Sequence, residues 1–183
     1  MLWFFTPYSQ DMKLFEAWDQ YMNLVSDPED WVCMMDGDIL FLHADFGHQI
    51  KEYIRLYPDT GLFTCYSSRS RTPWMMPERN IFHSPSIAEH KKMADYLRRV
   101  CGTSVKEIND RVTGHLLVIK KSTWEKIREN VKERCVNLKI LSVDTAISHA
   151  VIDAGLRIRL MKGVYVLHYY RFVEGANYKG HLK

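Results

Sequence analysis

Asp36, Asp38 and His168 are the residues whose types and placement best suit chemistry. The two carboxylates stand two positions apart in Trp31-Val32-Cys33-Met34-Met35-Asp36-Gly37-Asp38-Ile39-Leu40-Phe41-Leu42, between two apolar runs. Such runs read as buried strand. Aspartate is depleted from strands, and a buried carboxylate needs a partner or a metal. The pair is therefore expected where a strand ends, facing something positive, with Gly37 letting the backbone turn and a ligand approach. Asp-Gly is also a hairpin signal, so a solvated turn between two paired strands is the alternative. His168 follows directly on the apolar run Val164-Tyr165-Val166-Leu167, where a strand end would hold it rigidly. Two carboxylates and an imidazole suit Mn²⁺ or Mg²⁺ shared with a phosphorylated ligand better than a structural zinc site. Such an ion acts as a Lewis acid on a departing diphosphate. Arg69 and Arg71 could add charge-assisted contacts to the same phosphates. The alternative for each is an exposed basic loop. Asp144 falls in the first turn of an expected helix, where the dipole favours an anion. It could also take a proton from an attacking hydroxyl.

These groups need elements to hold them. Leu2 to Thr6 reads as a strand stopped by Pro7, and Asp11 as the cap of a helix with Leu14, Trp18, Tyr21, Met22 and Val25 inward. Trp31 to Met35 is the strand that carries the Asp pair. Ile50, Tyr53, Ile54 and Tyr57 mark a second helix, and Gly61 to Cys65 a third strand. Residues 67–85 hold Ser, Arg and Pro without periodicity, a loop long enough to be functional or mobile. Three Ser-x-x-Glu capping boxes follow at Ser86, Ser104 and Ser122. The first opens a helix with Met93, Leu97 and Val100 inward, the third one with Trp124, Ile127 and Val131 inward. His115 to Lys120 is a strand. Ser142 caps a helix running to Gly155. Leu156 to Leu160 and Val164 to Leu167 are closing strands, and the stretch from Glu174 is a polar tail. Strands alternating with helices argue α/β with a mostly parallel or mixed sheet. Ligands in such sheets sit beyond the carboxyl ends of strands, which is where Thr6 to Tyr8, Asp36 to Asp38, Tyr66 to Arg71 and His168 are expected.

The bulk properties narrow the class. A chain of 183 residues, 46% hydrophobic, suits one domain with a full core. A net charge of +3 is too mild to make nucleic acid the main partner. No apolar run reaches the length of a membrane span. The apolar start Met1 to Phe5 lacks a basic segment and meets Thr6-Pro7 at once, so it does not read as a signal peptide. The four cysteines form no Cys-x-x-Cys pair and read as free thiols of a reducing cytoplasm.

Together the segments resemble a small glycosyltransferase of the GT-A type, similar to the family 2 group. Phe5-Thr6-Pro7-Tyr8-Ser9 resembles the end of that group's first strand. Asp36-Gly37-Asp38 matches its Asp-x-Asp motif, and Gly61 to Tyr66 the strand after it. Thr113 to Trp124 resembles the strand and helix start beside the donor sugar. Ser142-Val143-Asp144 resembles the acidic segment that supplies the base, and Val166-Leu167-His168-Tyr169-Tyr170-Arg171 the late histidine of the metal site. The resemblance implies a single GT-A-like, Rossmann-like mixed sheet flanked by helices over residues 1–171, with a polar tail over 172–183. It implies Asp36, Asp38 and His168 on Mn²⁺ or Mg²⁺, with Asp36 serving the metal or the donor ribose, and Asp144 as the base of an inverting transfer. The donor would be a nucleotide sugar such as a UDP-sugar, the acceptor a glycan, a lipid-linked sugar or another hydroxyl. Only Ser26 to Asp30 separates the first helix from the Asp-x-Asp strand, where the group has two further strands. The sheet is thus expected to be reduced at one edge, with nucleotide recognition falling to Thr6, Pro7, Tyr8, Lys13 and Gly37, and Arg69 and Arg71 on the phosphates. Two other readings remain. One is a non-catalytic nucleotide- or sugar-binding module trimmed from such a transferase. The other is a haloacid-dehalogenase-like phosphohydrolase, whose motif wants a Thr where Leu40 stands.

Overall fold

The computed structural model describes residues 1–11, 13–79, 81, 83–139 and 141–169. Tyr170, Arg171 and the expected tail over 172–183 lie outside the described residues. In chain order the elements are β1 (Leu2–Phe5), α1 (Leu14–Asn23), β2 (Trp31–Met35), β3 (Ile39–Phe41), α2 (Phe46–Leu56), β4 (Thr60–Ser67), α3 (Ile87–Cys101), β5 (Val105–Ile108), β6 (Leu116–Lys120), α4 (Lys121–Lys132), α5 (Val143–Asp153) and β7 (Arg157–His168). A short 3₁₀ turn lies at Pro73–Met75 and a π-helical turn at Glu133–Asn137. The fold is α/β with a seven-stranded mixed sheet. Among the described residues no helix is long and apolar enough to cross a membrane. The chain divides into two compact units: Met1–Gly37, Tyr57–Thr64 and Glu107–Arg159 in the first, Asp38–Leu56, Cys65–Lys106 and Leu160–Lys183 in the second.

In the first unit the strands run β1-β2-β6-β4. β1 pairs parallel with β2, Leu2 opposite Trp31, and β2 pairs antiparallel with β6, Met35 opposite Leu116. Val32, Cys33 and Met34 are fully buried, which is why this run is apolar throughout rather than alternating. Phe15 and Trp18 of α1 pack on Trp124 of α4, ring centroids 5.9 and 6.1 Å apart. Asp19 ties the same helices together, accepting from Arg128 Nε at 2.6 Å and Nη2 at 2.7 Å. Asp11 does not cap α1. That helix begins at Leu14 without a side-chain cap, and Ser9 Oγ accepts from the Lys13 amide at 2.7 Å. Its buried face is Phe15, Ala17, Trp18 and Met22, with Leu14 at the surface.

In the second unit β4, β7 and β3 lie side by side. β3 pairs antiparallel with β7, Ile39 opposite His168. β2 and β3 therefore take different partners, so the hairpin alternative for Asp-Gly-Asp does not hold. The two expected closing strands are one strand, β7, which runs straight through Gly163. A Cβ at that position would stand 2.0 Å from the Gly102 carbonyl oxygen, so only glycine allows this approach. The backbone there is held by Gln49 Nε2 donating to the Gly163 carbonyl at 2.8 Å and the Gly163 amide donating to Tyr53 Oη at 2.9 Å. Leu42, Ala94, Leu97, Tyr165 and Leu167 form a core cluster. Val100, expected inward on α3, is exposed, and His90 is buried in its place.

Two of the three capping boxes fail. Ser86 does cap α3, accepting from the Glu89 amide at 3.3 Å. Ser104 instead precedes strand β5, whose Glu107 accepts from Arg157 Nη1 at 2.9 Å. Ser122 lies inside α4, which starts one residue earlier. The segment after Ser67 is not a solvated loop: Ser68, Arg69, Ser70, Thr72 and Met75 are buried.

Candidate metal and acid–base site

In the second unit the register of β3 on β7 brings Asp38 and His168 together. The Tyr169 amide donates to the Asp38 carbonyl at 2.9 Å, extending the β3–β7 ladder by one step. His168 Nε2 then lies 3.3 Å from Asp38 Oδ1. The other ring nitrogen, Nδ1, is 2.9 Å from the Arg69 carbonyl. A carbonyl oxygen only accepts, so Nδ1 carries the proton. In the neutral ring Nε2 then turns a lone pair toward a carboxylate oxygen. Two lone pairs at that separation call for a proton or a cation between them. An imidazole whose far N–H is fixed by a backbone carbonyl is the usual arrangement of a metal-bound histidine. The donor set, oxygen and imidazole without thiolate, is one that could hold a divalent cation. His168 is buried while Asp38 is exposed, so the pair opens to solvent on the carboxylate side.

The buried segment after β4 builds the back of this pair. Ser68 Oγ donates to the His168 carbonyl at 3.2 Å and accepts the His168 amide at 2.9 Å. Arg69 contributes its carbonyl to the ring, while its side chain is almost wholly buried and desolvation works against its charge. Arg71 is exposed. The role of Ser68 and of the Arg69 backbone was invisible in the sequence, since neither depends on a recognisable side-chain pattern.

In the first unit Asp36 closes β2. Its amide donates to the His115 carbonyl at 3.1 Å, one step past the Met35–Leu116 pair. Asp36 and Asp144 line one cleft of about 170 Å³ with Pro7, Trp18, Gly114 and Ser142. Asp144 sits in the first turn of α5 and its carboxylate is held by two amides, Gly114 to Oδ2 at 3.1 Å and Thr145 to Oδ1 at 2.9 Å. Gly114 is closely fitted there, since a Cβ would lie 3.2 Å from Asp144 Cβ. Each carboxylate oxygen keeps a second lone pair for a ligand. Thr6 Cγ2 would meet a Cβ at Gly37 at 3.4 Å, so the β1 end lies against the Asp-Gly turn. Tyr8 is 77% exposed and does not line this cleft. Lys13 lines a neighbouring cavity.

No family model matches this chain, and neither does any curated protein.

Proposed function

We propose that this chain is a metal-dependent glycosyltransferase that moves a sugar from a nucleotide-diphosphate donor, a UDP-sugar, to an acceptor hydroxyl. One observation carries the reading: His168 donates from Nδ1 to Arg69 and presents Nε2 to Asp38. Asp36 is joined to that pair through Gly37 alone, and two peptide links span at most about 7 Å. On that adjacency in sequence its carboxylate would be a third ligand to the same ion. When bound, Mn²⁺ or Mg²⁺ would offset diphosphate charge as the leaving group departs. The chain's own residues do the rest. Thr6 and Pro7, beside the Asp-Gly turn, shape the nucleotide end, with Tyr8 further out. Asp144, steadied by the Gly114 and Thr145 amides, receives the acceptor's proton on a carboxylate oxygen as that hydroxyl attacks.

A second reading is a module that binds the nucleotide sugar without transfer. The same two amide contacts to Asp144 favour it, because they also suit a purely structural carboxylate at a helix start. Donor hydrolysis under Mn²⁺ titration separates the two. The transferase reading expects metal-dependent turnover that Asp38→Ala abolishes. Turnover unchanged in that variant would end it, and donor binding without product over many acceptors would favour the module.

A further inference from the structure

A cavity of the first unit, about 440 Å³, has no role in the reading above. It is of the size that takes a small ligand. Its apolar wall is Leu14 and Phe15 at the start of α1, with Leu141 and Val143 before and at the start of α5. Two lysines line it, Lys13 and Lys139, and neither has an ion-pair partner among the described residues. Glu16 is the one acidic group on the wall, so the lining carries a net charge of about +1 by formal charges. Lys139 has φ of 55°, alone among the described non-glycine residues in that left-handed region. A long side chain there costs backbone energy that glycine or asparagine would avoid. It stands two residues past the π-helical turn Glu133–Asn137, a rare geometry that recurs at functional sites. The cavity shares Leu14, Ser142 and Val143 with the cleft that holds Asp36 and Asp144.

We infer that this cavity is a binding subsite for an anionic amphiphile, an alkyl chain bearing a phosphate or carboxylate, with the acid on Lys13 and Lys139 and the chain on Leu14, Phe15, Leu141 and Val143. Because the cavity adjoins Asp144, its occupant is the acceptor side of the reaction; that assignment rests on the transferase reading, whereas the ligand chemistry does not. The strained Lys139 is explained as a residue kept for its amine at the expense of its backbone.

The test is calorimetric titration of the full chain, without metal or donor, with octyl phosphate, inorganic phosphate and octyl glucoside. Octyl phosphate should bind, with the neutral glucoside and the chainless phosphate each at least about tenfold weaker, as expected for losing a charge-assisted contact or the buried chain. Lys139→Gly should leave the Tm unchanged or raise it, yet weaken octyl phosphate about ten- to hundredfold. Lys13→Ala should weaken it similarly. Asp38→Ala should bind octyl phosphate like the wild type, which separates this subsite from the metal reading. Equal binding of glucoside and phosphate ester, undiminished binding in both lysine variants, or no binding by the wild type would each overturn the inference. If octyl phosphate binds as described while no donor is turned over, the transferase reading fails and the subsite stands.

Discussion

His168 and Asp38 face each other at 3.3 Å because β3 and β7 are paired with Ile39 opposite His168. The contact is a consequence of register. A slip by one residue would turn the imidazole to the other face of the sheet. Ser68 and the Arg69 carbonyl then lock the ring and its tautomer from behind.

That locking predicts a positioning role for Ser68. Ser68→Ala removes the acceptor of the His168 amide and leaves a buried donor unsatisfied, at about 1–3 kcal/mol. Urea denaturation should show that loss. Mn²⁺ affinity should fall by about 10- to 100-fold, as for other partners that orient a metal-bound histidine. Unchanged metal affinity would mean that the ring needs no support from this side.

Gly163 is predicted to be irreplaceable. A methyl group there meets the Gly102 carbonyl oxygen at 2.0 Å and Tyr53 Oη at 2.9 Å. Gly163→Ala should destabilise the protein by about 1–3 kcal/mol or more, since neither neighbour is the free end of a flexible chain. Chemical denaturation gives the value directly.

Asp45 predicts an acid-dependent term in stability. Arg98 grips both of its oxygens, Nη1 to Oδ1 at 2.8 Å and Nη2 to Oδ2 at 2.6 Å, and holds its pKa down at about 2. A carboxylate whose folded pKa is depressed stabilises the fold above its unfolded pKa and loses that contribution as pH falls through the folded one. The wild type and Arg98→Gln should therefore differ in Tm at neutral pH and converge between about pH 4 and pH 2. A difference that persists undiminished at pH 2 would remove the ion pair as its cause.

Thiol labelling should divide the cysteines. Cys33 is fully buried and burial pushes its thiol pKa far up, so it stays protonated and unreactive. Cys65 is equally buried, whereas Cys101 and Cys135 are half-exposed. In the native protein a thiol reagent should modify Cys101 and Cys135 first, leaving Cys33 and Cys65 for the unfolded chain. Mass spectrometry of labelled peptides reads this out.

The sequence carried the elements better than their ends. β2 was legible because an unbroken apolar run stops at Asp-Gly-Asp, and α4 because Trp124, Ile127 and Val131 recur at helical spacing. The Ser104 box misled because Ser-x-x-Glu is a local signal, while the fate of Val105–Ile108 is decided by pairing with a distant strand, β7. Gly163 split one strand into two on paper because its reason lies in a carbonyl sixty-one residues away. His90 was not among the residues expected inward on α3. It is buried because Tyr165 Oη and the Ser84 carbonyl satisfy its two nitrogens, at 2.8 and 2.9 Å. At the candidate site, the structure places Asp38 beside His168 and Asp36 in one cleft with Asp144, residues singled out by type and position. The Arg69 carbonyl, the Gly114 amide and the strained Lys139 were not so singled out, because backbone groups and dihedral angles leave no pattern in a single sequence.

We propose that a divalent cation is held between the Asp38 carboxylate and His168 Nε2. Side-chain NMR of the histidines under Mn²⁺ titration tests it most directly, since the chain has eight histidines to serve as mutual controls. His168 resonances should broaden first and at the lowest Mn²⁺ concentration, with the long-range couplings of an Nδ1-protonated ring before metal is added. Asp38→Ala should abolish this selectivity. Broadening of His168 no earlier than that of the exposed histidines His48, His83 and His149, or an Nε2-protonated ring at neutral pH, would contradict it.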